Sequence, residues 1–203
     1  RRAAFGGNVL LGVCVFFVLA AVPLFVATLI ETDGRQAAWL AGWLLTVFTG
    51  PLALTVWLTS RWTRRSWLVL GGMPAVAGFG LMRWWQPTAG SLVPALVVLG
   101  VSLGWWFTPL AEIPLRASPA AAAGGVSSLV LLARLVGMAI GTNLLVGVIV
   151  AAIGRIGALE GVDVQAEVLD VFRSASWLGV VAAGLLVVAG GMATRQKAHP
   201  APL

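Results

Sequence analysis

Charge is scarce in this chain. Only 10% of its 203 residues are charged, thirteen basic and seven acidic, against about 25% in a typical soluble domain. So few charges cannot coat a water-facing surface, which excludes a soluble enzyme or binding module. Disorder needs low hydrophobicity and high charge, and 60% hydrophobic content with a mean hydropathy of +0.98 excludes that too. The lone cysteine, Cys14, permits no internal disulfide and no cysteine-based metal site. The lone histidine, His199, lies in a polar tail, so the apolar body holds no histidine dyad or metal cluster. The basic residues are scattered among apolar runs, with no stripe of the kind a nucleic-acid backbone requires. No Walker motif, metal-ligand set or Ser–His pairing is present, so neither a catalytic residue nor a cofactor is expected.

What remains is apolar sequence in long runs. A hydrocarbon core about 30 Å thick is crossed by roughly 20 apolar helical residues, and six runs of that kind appear: 9–30, 37–58, 67–85, 92–107, 120–153 and 177–192. Barrel strands would alternate apolar with polar residues; these runs are apolar on every face, and backbone in lipid must bond to itself. The chain therefore reads as an all-α integral membrane protein, with a six-helix domain over 1–193 and a polar tail over 194–203. The first run follows Arg1 and Arg2 as a signal peptide would, but it is too long for a signal h-region and five more runs follow. Beginning on Arg rather than Met, the chain reads as cut from something longer.

Basic residues in the short loops set the orientation. Arg1, Arg2, Arg61, Arg64, Arg65, Arg116, Arg195 and Lys197 fall on one side, against Arg35, Arg83, Arg155 and Arg173 on the other. Both termini are expected in the cytoplasm of a cell-membrane protein, with six of the seven acids outside. Between the fifth and sixth runs, Val164, Val168, Leu169 and Phe172 recur at helical spacing and predict a short amphipathic helix on the outer surface. Gly50–Pro51 and Pro74 are expected to break the second and third helices, either as tolerated kinks or as the discontinuities that mark transporter sites.

Arg134 is the one charge deep within a predicted span, and a buried arginine in a membrane faces a cavity or a partner. Gly137 and Gly141 share its side of the helix as a GxxxG pair, a pattern that lets another helix approach closely. Asn143 lies on the opposite side. A second GxxxG, Gly100 and Gly104, precedes Trp105, Trp106 and Phe107, aromatics able to line a pocket or to form an interfacial belt. Phe16 and Phe17 are further lining candidates.

Three stretches resemble the C-terminal half of a major facilitator superfamily transporter of the fourteen-helix drug–proton antiporter branch. Gly125-Val-Ser-Ser128 through Arg134-Leu-Val-Gly137-Met-Ala-Ile-Gly141 is similar to that branch's penultimate helix, with Leu135 and Met138 departing from the usual Gln and Gly. Gly50-Pro51 through Arg61, Arg64 and Arg65 resembles its cytoplasmic loop motif, with Ser60 in place of the acid. Phe172-Arg-Ser-Ala175 resembles the F-x-x-A entering its last helix. The resemblance implies two inverted three-helix repeats, with the first, second, fourth and fifth helices lining a central cavity. It also implies the bilayer, a missing N-terminal half, a small amphipathic substrate and a proton as partners. Arg134 would then be a cavity-facing gate or coupling residue, turned toward lipid or a second copy whenever the other half is absent. A rival reading is a non-transporting membrane scaffold or regulatory subunit, with the GxxxG faces as docking surfaces.

Overall fold

A computed structural model describes residues 2–27, 34–61, 67–84, 89–116, 118–158 and 164–195. They form six long helices: α1 (Arg2–Phe25), α2 (Gly34–Arg61), α3 (Trp67–Trp84), α4 (Ala89–Arg116), α5 (Ala123–Ala158) and α6 (Val164–Arg195). A single 3-10 turn, Ala120–Ala122, leads into α5, and no strand occurs among the described residues. Five of the helices, all but α3, are long and apolar enough by length and composition to cross a membrane. The remaining helix, α3, has 18 residues and one charge, Arg83, in its last turn. Arg64 and Arg65, the loop acids Glu31, Asp33, Glu160 and Asp163, and residues 196–203 lie outside the described residues.

Three expectations need correction. The predicted surface helix does not stand apart, because Val164–Arg195 is one continuous helix. Its apolar positions run in register into those of the last span: Phe172, Ala175, Ala182, Ala183 and Leu186 are all buried. No glycine or proline falls between Val164 and Ala175 to end the first segment. Likewise α2 and α3 run unbroken through Pro51 and Pro74. One lost backbone hydrogen bond is tolerated where neighbouring helices clamp both sides of the gap, as α4 clamps α2 at Phe48 and Leu52. Finally, α1 starts at Arg2 rather than near residue 9, which brings Asn8 into the bundle.

The packing repeats itself by exchange. The most extensive contacts pair α1 with α5 and α2 with α4; α3 packs on α4 as α6 packs on α1, and α3 meets α6. Swapping α1 with α4, α2 with α5 and α3 with α6 reproduces this pattern, the relation expected of two inverted three-helix repeats. Glycines make the two principal pairs close. A methyl on Gly141 would stand 2.9 Å from the Val13 carbonyl oxygen, and one on Gly104 would stand 2.6 Å from that of Leu52. Gly12 and Gly137 likewise set α1 and α5 backbone to backbone, as Gly100 sets α4 against Phe48. Without a hydrophobic force between helices in lipid, such close approach is the main source of association. At 1.5 Å per residue the 36 residues of α5 span about 54 Å, well beyond the hydrocarbon core. Large apolar side chains point outward, Trp39, Trp43 and Trp57 on α2 and Leu132, Leu135 and Ile140 on α5 among them. An apolar exterior of this kind suits a bilayer.

Candidate functional site

A polar junction of three helices lies at one end of the bundle, where α1 begins, α4 ends and α5 is about three turns along. Its origin lies in Pro114. A helical proline has no N–H for the carbonyl four residues back, so the carbonyl of Leu110 is left without its partner in α4. Asn8 of α1, fully buried, fills the place: its Nδ2 donates to the Leu110 carbonyl at 2.9 Å and to the carbonyl of Ala4 at 2.9 Å. The amide oxygen then faces α5 and accepts from Nε of Arg134 at 3.0 Å. Nη2 of Arg134 donates to the Phe107 carbonyl at 2.7 Å, and its guanidinium carbon stands 3.8 Å from the Phe107 ring centroid. One arginine thus joins three helices through two hydrogen bonds and a cation–π contact, an interaction that strengthens as water is removed.

This arrangement changes the expected place of Arg134. The side chain does not turn out toward lipid; it is half-buried and drawn into the junction of α1, α4 and α5. A helical side chain leans toward its own N-terminus, and in α5 that direction leads to the acceptors on Asn8 and Phe107. The helix backbone nearby is closed by the glycines, with Gly12 lying against the Arg134 carbonyl.

The other predicted residues divide. Phe107 joins Arg134, whereas Phe17 and Trp106 belong to the packed interior. Phe17 meets Phe79 edge-on at 5.9 Å, and Trp106 is fully buried with its ring over Gly190 of α6. Neither can line an open cavity. Phe16 and Trp105 are half-buried. Asn143 is exposed and its Nδ2 bonds back to the Ala139 carbonyl at 2.8 Å, away from the arginine. Gly100 and Gly104 pack α4 on α2, and Gly137 and Gly141 pack α5 on α1. Arg61 ends α2 with its guanidinium 4.0 Å above the Trp57 ring. Near the same end Thr59 donates to Thr108 at 3.2 Å, tying α2 to α4. Glu112, on the last turns of α4, pairs with Arg116 at 2.8 Å.

Hydropathy leaves Asn8 out of the first helix, because the apolar run begins only at Val9. Two signals could have found it. It lies about 40° from Gly12 on a helical wheel, and Pro114 announces a carbonyl in need of a donor.

The fold is that of a helical, multi-pass membrane protein and matches one half of a major facilitator fold. No family model matches the chain. Among solved structures it is similar to a bacterial homologue of the human lysosomal transporter Spinster, in an inward-facing and occupied conformation. The TM-score is 0.67 at 14% identity, and the match covers 100% of this chain and 50% of that one. Among curated proteins it is similar to the triacylglyceride transporter of Mycobacterium tuberculosis, 29% identical over 152 residues, 68% of this chain and 29% of the relative. The triacylglyceride transporter of Mycolicibacterium smegmatis is 30% identical over 151 residues, 68% of this chain and 27% of the relative. That of Mycobacteroides abscessus is 29% identical over 157 residues, 71% and 30%. The chain spans less than a third of the length of these relatives. All are transporters rather than enzymes, in agreement with the absence of catalytic motifs from the sequence.

Proposed function

We propose that this chain is the C-terminal half of a secondary transporter that works by alternating access, with Arg134 as its gating or coupling cation. The observation that carries the proposal is a charge held at the junction of α1, α4 and α5, within a six-helix unit that is half of a transporter fold. Alternating access rocks one such half against another around a shared site, so the second half is the partner this reading requires. The sequence suggested drug-like or small amphipathic substrates moved outward against protons. The named activity of the mycobacterial relatives moves the proposal toward an apolar, acylglycerol-type lipid. The proton would be carried by the other half, since Glu112, the acid nearest Arg134 in sequence, is already paired with Arg116.

Reconstitution tests this directly. The 203-residue chain alone in vesicles is expected to move no fluorescent acylglycerol or cationic dye under an imposed pH gradient. The full-length protein is expected to move the lipid and to stop when the gradient is dissipated. Movement by the chain alone would overturn the half-transporter reading, and a full-length protein that moves neither probe would overturn the transporter reading.

The orientation proposed is both termini in the cytoplasm of the cell membrane. Cys14 is buried, so replacing it by alanine gives a background for labelling. Gln36→Cys, at the start of α2, is then expected to react with an impermeant maleimide on intact cells. Ser118→Cys, between α4 and α5, is expected to react only after permeabilisation. The reverse pattern would invert the topology.

A further inference from the structure

Arg134 is only as well placed as the group that holds its Nε. We infer that Asn8 is the positioning residue for Arg134, and that Pro114 makes that role possible by leaving the Leu110 carbonyl for the Asn8 amide. The inference rests on the transporter reading and adds to it the residues that aim the cation.

The amide has no freedom. Two carbonyl oxygens, those of Ala4 and Leu110, lie on one side of it, so the nitrogen must face them and the oxygen must face Arg134. Nε and Nη2 of the guanidinium share one edge of the planar fork, and both are used, by Asn8 and by the Phe107 carbonyl. Nη1 has no hydrogen-bond partner among the described residues. Its two N–H groups, with the second N–H of Nη2, are the donors left over for anything that approaches the junction. With Asn8 replaced by an apolar residue, Nε would lose its acceptor and the fork would pivot on the single bond to Phe107. The charge would remain while its direction was lost. Pro114 acts one step further back. Changing it to alanine returns an N–H to the Leu110 carbonyl, so the carbonyl no longer depends on the amide.

The test is a variant series in the full-length protein, read as gradient-driven transport of a fluorescent acylglycerol and as thermal stability of the purified protein. Asn8→Leu is expected to lower the maximal rate about tenfold, the equivalent of one hydrogen bond to a charged group, with little change in half-saturating substrate. Asn8→Asp keeps the acceptor for Nε but sets an anion against the Ala4 and Leu110 carbonyls, of which only Leu110 lacks a helix N–H of its own, and is expected to lose a similar amount. Adding Pro114→Ala gives that carbonyl its own donor, so Asn8→Asp/Pro114→Ala is expected to recover most of the rate. A merely structural asparagine would show no such recovery. Failure of the double variant to recover while Asn8→Asp folds would overturn the inference, as would wild-type transport by Asn8→Leu. Should the wild-type protein move no substrate, the transporter reading fails and the stability series decides the network alone. Asn8→Leu and Arg134→Leu are then expected to be non-additive when combined, and strict additivity would refute the coupling.

Discussion

Replacing Gly137 by alanine is expected to be the most damaging single-methyl change in this protein. The new methyl would be driven into the Val9 carbonyl of α1, backbone against backbone, with Gly12 immediately beside it. Neither partner is the end of a flexible side chain, so α1 and α5 must separate. Overpacking of this kind costs about 1–3 kcal/mol, and here it acts on the helix pair that holds Arg134 to Asn8. Alanine also gains about 1 kcal/mol of helix propensity over glycine, which opposes the loss and has to be separated from it. Gly147 on the same helix supplies the control, because a methyl there meets nothing within 4 Å. Gly147→Ala should leave the melting temperature in detergent unchanged or raise it, while Gly137→Ala should lower it clearly. Equal effects at the two sites would show that α1 and α5 do not approach as described.

The second large effect belongs to Arg134. Arg134→Ala removes two hydrogen bonds and the contact with the Phe107 ring, and it leaves the buried Asn8 oxygen without a donor. Bonds to charged groups contribute about 1.5–3 kcal/mol each, so transport by the full-length protein should fall about a hundredfold, each 1.4 kcal/mol being a factor of ten. Lysine keeps the charge but not the planar fork that reaches two acceptors at once, and it should recover only part of the loss. Measurement of transport per inserted protein separates this outcome from loss of folding. Wild-type efflux from Arg134→Ala would reduce the residue to packing.

Much of this was legible in the sequence, and the parts that were not share a physical cause. Runs apolar on every face leave only helices in lipid, so the number of helices followed from hydropathy. GxxxG spacing places small residues on one side of a helix, and both glycine pairs do sit at helix contacts. Hydropathy says where apolar sequence stops, however, not where a helix stops. The α6 helix extends thirteen residues before the predicted span at Trp177 because burial of Val171 and Phe172 continues its stripe outward, where Phe25 and Phe172 meet at a centroid separation of 4.0 Å. The same criterion leaves Asn8 outside α1, which in fact begins at Arg2. Side-chain direction was also out of reach. A helical wheel places Arg134 on a face, but its destination depends on which carbonyls α4 leaves open, and that depends on a proline twenty residues earlier in the chain.

The exchange symmetry of the bundle has a consequence for how the protein is made. Among the described residues, α1 touches α2 only slightly, and the principal partners of α1, α2 and α3 all lie in the second repeat. When the ribosome has delivered the first three helices, they stand in the membrane nearly independent of one another. Only the emergence of α4 gives α2 its neighbour, and only α5 and α6 give α1 its own. The repeats are thus interleaved strands of one object and not two successive modules. Tertiary structure must form late in synthesis, and a chain severed between α3 and α4 would yield two pieces that fold only together.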